Sequence, residues 1–123
     1  MIRLTDVVID CPDPNALARF YSGLTGWPLD KDAEDWASIR TEGHAALAFQ
    51  RADDHRPPHW PDPERPQQMH LDFEVDDFAP ARARAEELGA EFVEAHVGPR
   101  GYGWMVMTDP AGHPFCLTRQ PNG

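Results

Sequence analysis

Two stretches of the chain repeat one pattern at a fixed distance, and this limits the possible folds more than any bulk property does. LTDVVIDCPDP, from Leu4, and QMHLDFEVDDF, from Gln68, align so that Asp6 and His70, Asp10 and Glu74, and Asp13 and Asp77 each stand 64 residues apart. Both stretches alternate apolar and polar residues, as half-buried strands do. In the second, Met69, Leu71, Phe73 and Val75 share one face of an extended chain, and His70, Asp72 and Glu74 share the other. Each stretch runs into a helix. In the first helix Asp13 is placed to cap, Pro14 suits the opening turn, Leu17, Phe20, Tyr21 and Leu24 form a stripe at i, i+3, i+4, i+7, and Gly26 stops it. In the second, Asp77 or a neighbour caps, Pro80 lies in the opening turn, Ala81, Ala85 and Leu88 make a thinner stripe, and Gly89 ends it.

Three short extended segments follow each helix: WPLDKD, DWASIRT and HAALAFQR in the first half, EFVEAHV, GWMVMTD and HPFCLTR in the second. Both halves therefore read βαβββ, and a repeat at a long fixed offset sets the architecture of the whole chain. The fold class is α+β, two tandem βαβββ modules. Between them RADDHRPPHWPDPERPQQ carries five prolines, which exclude a helix or a central strand and leave an extended connection. The expected organisation is one domain over residues 1–123, with module one at 1–51, a proline-rich linker at 52–68 and module two at 69–123.

Charge and cysteine content narrow the partners. Eleven basic against 21 acidic residues leave a net charge of −10, which opposes the phosphate attraction that dominates nucleic-acid affinity. Neither nucleic acid nor an anionic membrane is an expected partner. No apolar run approaches the roughly 18 residues a membrane span needs, and MIRLTDVVID lacks the segments of a signal peptide, so the expected location is the cytoplasm. The two cysteines, Cys11 and Cys116, have no CxxC spacing and are expected to be reduced.

The motifs DPNALARFYSGLTGW near the start, MHLDFEVDD opening the second half and TDPAGHPFCL near the end occur in an order that resembles the vicinal oxygen chelate superfamily. That superfamily includes glyoxalase I, extradiol dioxygenases and the bleomycin- and fosfomycin-resistance proteins. WPDPERPQQMHLDFEVDD together with GHPFCL is most similar to its uncharacterised glyoxalase-like branch. The resemblance implies a curved mixed sheet around a shared cavity, with metal ligands, in the metal-dependent members, on the first and last strands of each module. Carried over, those positions are Asp6, Ala48, His70 and Cys116. Ala48 cannot ligate, and only His70 is of the His, Glu or Gln type such members supply. No metal cofactor is therefore expected; if a divalent ion binds, Asp6, His70 and Cys116 are its expected ligands.

Within that cavity His70 and Asp6 are the candidate catalytic pair, an imidazole for acid–base work and a carboxylate to orient it. Asp72, Cys116, Ala48 and Gln50 are expected to line the ligand site, with Trp60 and Trp104 as flat apolar surface at its mouth; Trp36 and Tyr102 belong to the same aromatic group. Asp10 and Glu74 stand on the same strand faces near the strand ends, where solvation is their ordinary fate. Three further readings fail the tests for a catalytic or binding motif. His55 and His59 in HRPPH are kept off any common helix by the intervening prolines. GPRGYG, residues 98–103, lacks the helix and Lys-Ser/Thr of a phosphate loop and reads as a hairpin or a lid. Cys116 as a nucleophile lacks a demonstrable basic partner or a second motif, and a small apolar filler is its ordinary role.

The expected function is a glyoxalase-like protein that encloses a small organic molecule, neutral or cationic, and needs no metal. Two alternatives are a divalent-metal lyase, isomerase or dioxygenase of the same superfamily and a resistance protein that sequesters a drug or toxin without turnover. Whether the chain is an enzyme is left open, and glyoxalase I activity itself is not expected. The resemblance also implies a homodimer.

Overall fold

A computed structural model describes residues 2–59, 62–66 and 69–121. The elements run β1 (Asp6–Cys11), α1 (Pro14–Thr25), β2 (Leu29–Asp32), β3 (Trp36–Ile39), β4 (Ala46–Arg51), then β5 (Leu71–Glu74), α2 (Phe78–Glu87), β6 (Glu91–Val97), β7 (Gly103–Thr108) and β8 (Pro114–Arg119). This is βαβββ twice. The chain divides into two compact units, Met1–Arg56 and Pro57–Gly123, the division falling inside the proline-rich stretch.

Each unit is a four-stranded mixed sheet, ordered β1-β4-β3-β2 in the first and β5-β8-β7-β6 in the second. In both, the strand before the helix pairs in parallel with the last strand of its unit, and the remaining pairs are antiparallel. The repeat extends to register. Val8 lies opposite Ala48 in the first sheet, and Asp72, 64 residues after Val8, lies opposite Cys116 in the second.

Helix α1 forms as its signals require. The Asp13 carboxylate accepts a hydrogen bond from the Ala16 amide at 3.2 Å, Pro14 opens the helix, and Gly26 closes it in the left-handed conformation at φ 80°. Its stripe packs on the sheet, where Tyr21 stacks on Phe49 at 5.6 Å with the rings nearly parallel. Burying such an aromatic stabilises the unit by roughly 1.5–3 kcal/mol. Helix α2 is weaker. Asp77 occupies the N-cap position without a side-chain bond, the helix ends at Glu87 with Leu88 as its C-cap, and Ala85 is its one fully buried residue among those described. The core of the second unit comes instead from its strands, with Phe115, Leu117 and Met107 buried and Phe73 edge-on to Phe115 at 6.1 Å.

Strand β5 is shorter than the alternation from Gln67 to Asp77 suggests. Its ladder with β8 begins at Leu71 opposite Phe115, so the next partners would be His70 and Pro114. Proline has no N–H to give, and the ladder stops there. His70 therefore stands one residue before the strand. The alternation of faces holds: in β1 Asp6, Val8 and Asp10 are exposed while Val7 and Ile9 are half-buried, and in β5 Asp72 and Glu74 are exposed while Leu71 and Phe73 are half-buried.

Candidate functional site

One face of the second sheet carries Phe73, Met105, Met107, Phe115 and Leu117 into the core, so the alternate residues belong to the other face. There a pocket of about 260 Å³ is lined by His70, Asp72, Trp104, Val106, Pro114, Cys116, Thr118 and Gln120. All of these belong to the second unit. Register explains the grouping: Asp72 opposes Cys116, Cys116 opposes Val106, Trp104 opposes Thr118, and directly opposed residues share a face.

The polar centre is a pair. His70 Nε2 lies 3.1 Å from Asp72 Oδ1, with both side chains partly open to solvent. A hydrogen on Nε2 donated to the carboxylate leaves Nδ1 as the ring's acceptor. Cys116 lies beneath them, 8% exposed. Burial, then the charge and hydrogen bond of Asp72 and the charge of Glu94, push its thiol from 9.0 up to about 11. That thiol is protonated at neutral pH, which excludes it as a ready nucleophile.

The segment TDPAGHPFCL sets this floor in place. The Asp109 carboxylate is wholly buried and accepts hydrogen bonds from the amides of Ala111 and His113 at 2.9 and 3.0 Å, with His113 Nδ1 3.1 Å away. It closes the turn that delivers Pro114 and Cys116 to the sheet. At the other end of the strand, Arg119 donates to the carbonyls of Asp76 and Gly101 and lies 5.2 Å over the Tyr102 ring. The GPRGYG segment is thus a hairpin between β6 and β7, tied down by Arg119.

Of the residues singled out from sequence, the fold brings together His70, Asp72, Cys116 and Trp104. Asp6, Ala48 and Gln50 lie in the first unit: Asp6 and Gln50 are exposed, Ala48 is fully buried at the middle of β4, and Trp36 opposes Gln50. Trp60 lies outside the described residues. Glu74 and Asp10 are exposed, and Tyr102 borders the hairpin beneath Arg119. Two residues that no sequence motif marks join this face. Glu94 opposes Val106 and His96 opposes Trp104, so both stand on the pocket side of β6, with Glu94 Oε2 2.7 Å from His96 Nε2 and the His96 ring stacked on Trp104 at 4.9 Å. Their alternation in EFVEAHV is visible in the sequence, but which side of the strand faces the pocket depends on pairing with β7.

Whether the residues suit a divalent ion can be tested on donors. One donor atom each from His70, Asp72 and Cys116 lie within 4.8 Å of one another. Donors around a tetrahedral ion held at ~2.0–2.3 Å stand about 3.5 Å apart, so modest side-chain motion would close this nitrogen, oxygen and sulfur set on a borderline-soft ion such as zinc. The set fits with three donors, Asp72 standing where the sequence expectation had Asp6.

Comparison with known proteins gives the family and the fold. The family model of the glyoxalase-like domain matches residues 6–118. Over 120 residues the chain is 30% identical to the anthracycline biosynthesis protein DnrV of Streptomyces peucetius, covering 89% of this chain and 44% of that protein, so the chain spans less than half the length of this relative. Among solved structures, a glyoxalase/bleomycin resistance protein/dioxygenase family enzyme from Burkholderia phytofirmans PsJN has a TM-score of 0.77 at 16% identity, covering 96% of this chain and 98% of that one. A glyoxalase-related enzyme from Fulvimarina pelagi has a TM-score of 0.74 at 20% identity, covering 100% of this chain and 94% of that one. At these identities the two structures establish the fold.

Proposed function

The chain belongs to the glyoxalase-like domain family of the vicinal oxygen chelate superfamily, and on that premise we propose that it binds a small neutral or cationic organic molecule in the pocket of its second unit without requiring a metal. The observation that carries this reading is the composition of the pocket: an apolar floor of Val106, Pro114 and the protonated Cys116, a flat wall in Trp104, and one polar pair, His70 with Asp72. A few convergent polar groups in an apolar concavity are the usual form of a small-molecule site. The volume lies just below the ~300 Å³ end of the usual range, which suits a ligand of one or two rings. The relative in anthracycline biosynthesis supports an organic rather than a macromolecular ligand.

The chain's own residues divide the work. Trp104 offers its ring to an apolar or cationic group, worth roughly 0.5–2 kcal/mol for a cation over the face. Asp72 orients the His70 ring and supplies negative charge. His70 can take a proton from a bound ligand or return one, so the same pocket serves turnover or sequestration, and product formation under stoichiometric binding separates the two.

A second reading, a divalent-metal lyase, isomerase or dioxygenase, is favoured by the three converging donors. An ion held by His70, Asp72 and Cys116 would act as a Lewis acid on ligand oxygens. The metal-free reading takes precedence because Ala48, at one of the four positions the superfamily uses, has no donor atom.

A thermal-shift screen of matched cationic, neutral and anionic aromatics tests the proposal, since a ligand that binds the folded state raises the melting temperature in proportion to RT ln(1 + [L]/Kd). Cationic and neutral compounds should stabilise the wild type, the cations less so in Asp72→Asn. Selective stabilisation by anions, lost in His70→Ala, would overturn it.

A further inference from the structure

The pocket as described uses only part of the sheet face it stands on. Glu94, Val106, Cys116 and Asp72 oppose one another in turn across β6, β7, β8 and β5, and His96, Trp104, Thr118 and Glu74 form the next row. Strands lie ~4.8 Å apart, so Asp72 and Glu94 end a row ~14 Å across. Each of these carboxylates is held against an imidazole, His70 at 3.1 Å on one side and His96 at 2.7 Å on the other. The surface between them is mostly apolar.

Three further observations tie the two ends into one space. Trp104 lines the pocket and also stacks on His96, its ring reaching from one row end toward the middle. Cys116 stands between the two carboxylates in the row, one strand from Asp72 and two from Glu94. Finally, Arg119 is the one Lys or Arg within the strands β5, β6, β7 and β8 themselves; it stands opposite Gly103 and is bonded to the Asp76 and Gly101 carbonyls, so it does not neutralise this face.

We propose that the binding surface extends across the sheet to Glu94 and that its ligand is an elongated dication, with one basic group on Asp72, the other on Glu94, and an apolar or aromatic middle lying on Trp104. This rests on the reading of the pocket as a small-molecule site and names the class of molecule it takes. Two acids at fixed separation discriminate by length: once one end is bound, the other meets its carboxylate at an effective concentration set by the linker.

The test is calorimetric titration of the whole chain with benzamidine and with two benzamidinium groups joined by alkyl linkers of graded length. At the matching length the bis-cation should bind about 10- to 100-fold more tightly than benzamidine. Glu94→Gln should remove that gain, leaving the bis-cation no tighter than benzamidine in the same variant, Glu94→Asp should retain part of it, and Asp72→Asn should weaken both compounds. Both Glu94 and Asp72 side chains are partly exposed, so these variants should fold, which circular dichroism confirms or not. Equal affinity for mono- and bis-cations at every length, or no effect of Glu94→Gln, overturns the dication while leaving the pocket reading intact. If no cationic or neutral aromatic binds at all, both fall.

Discussion

His70 Nε2 and Asp72 Oδ1 stand 3.1 Å apart although the two residues are only two positions apart in the chain, His70 just outside β5 and Asp72 within it. Both side chains are well exposed, at 39% and 58%, so their attraction is screened by water. A double-mutant cycle on stability should give a coupling of less than about 1 kcal/mol. Loss of a ligand contact in Asp72→Asn should be larger, about 1–2 kcal/mol in binding. A coupling that exceeded the loss of affinity would make this pair structural, and denaturant titration beside calorimetry decides.

Cys116 should behave as an inert thiol. Its alkylation by iodoacetamide should be slow at pH 8 and accelerate toward pH 11, and Asp72→Asn should lower that midpoint, because Asp72 raises it by charge and by hydrogen bond. The folded value, about 11, lies above the unfolded value of 9.0. The protonated form is thus favoured in the folded state; its contribution is intact below pH 9 and falls between pH 9 and 11, by about 3 kcal/mol. Cys116→Ser should flatten that slope, and a slope that survives the substitution would point to another group.

Among the described glycines, Gly103 is the least able to accept a side chain. At φ 143° an added Cβ would come within 2.0 Å of the His96 carbonyl oxygen, backbone that cannot yield. Gly103→Ala should cost about 2–4 kcal/mol and displace Trp104 from the pocket, visible as changed tryptophan emission. Gly26→Ala, at φ 80° with open space around it, should cost only about 1 kcal/mol.

Purified protein should carry well under one equivalent of divalent metal, and a chelator should leave its melting temperature nearly unchanged. Elemental analysis checks this. One tightly held equivalent of zinc, nickel, iron or manganese, abolished by His70→Ala, would favour the metal-dependent reading instead.

Light scattering should give the mass of a homodimer at working concentrations, as the family resemblance implies. A monomer would remove the dimer alone and leave the site within the second unit untouched.

Periodicity, caps and the 64-residue repeat are local information, and they were enough for the βαβββ order, the two helices and the alternation that separates Asp72 from Phe73. Side-chain spacing along one strand does not report which strand lies beside it. Pairing of β5 with β8 and of β7 with β6 therefore decided that Asp72 meets Cys116 and that Glu94 and His96 join Trp104 on the pocket side. The carboxylate at His70 illustrates the difference. The repeat directed attention to Asp6, its counterpart in the other module, whereas the side chain within reach in its own unit is Asp72, brought there because Pro114 ends the ladder and leaves His70 at the strand's edge. The thiol of Cys116 is the same case: a buried cysteine could be read from an apolar strand, but its high pKa comes first from the extent of that burial and then from carboxylates on two other strands, β5 and β6, and only tertiary packing supplies both.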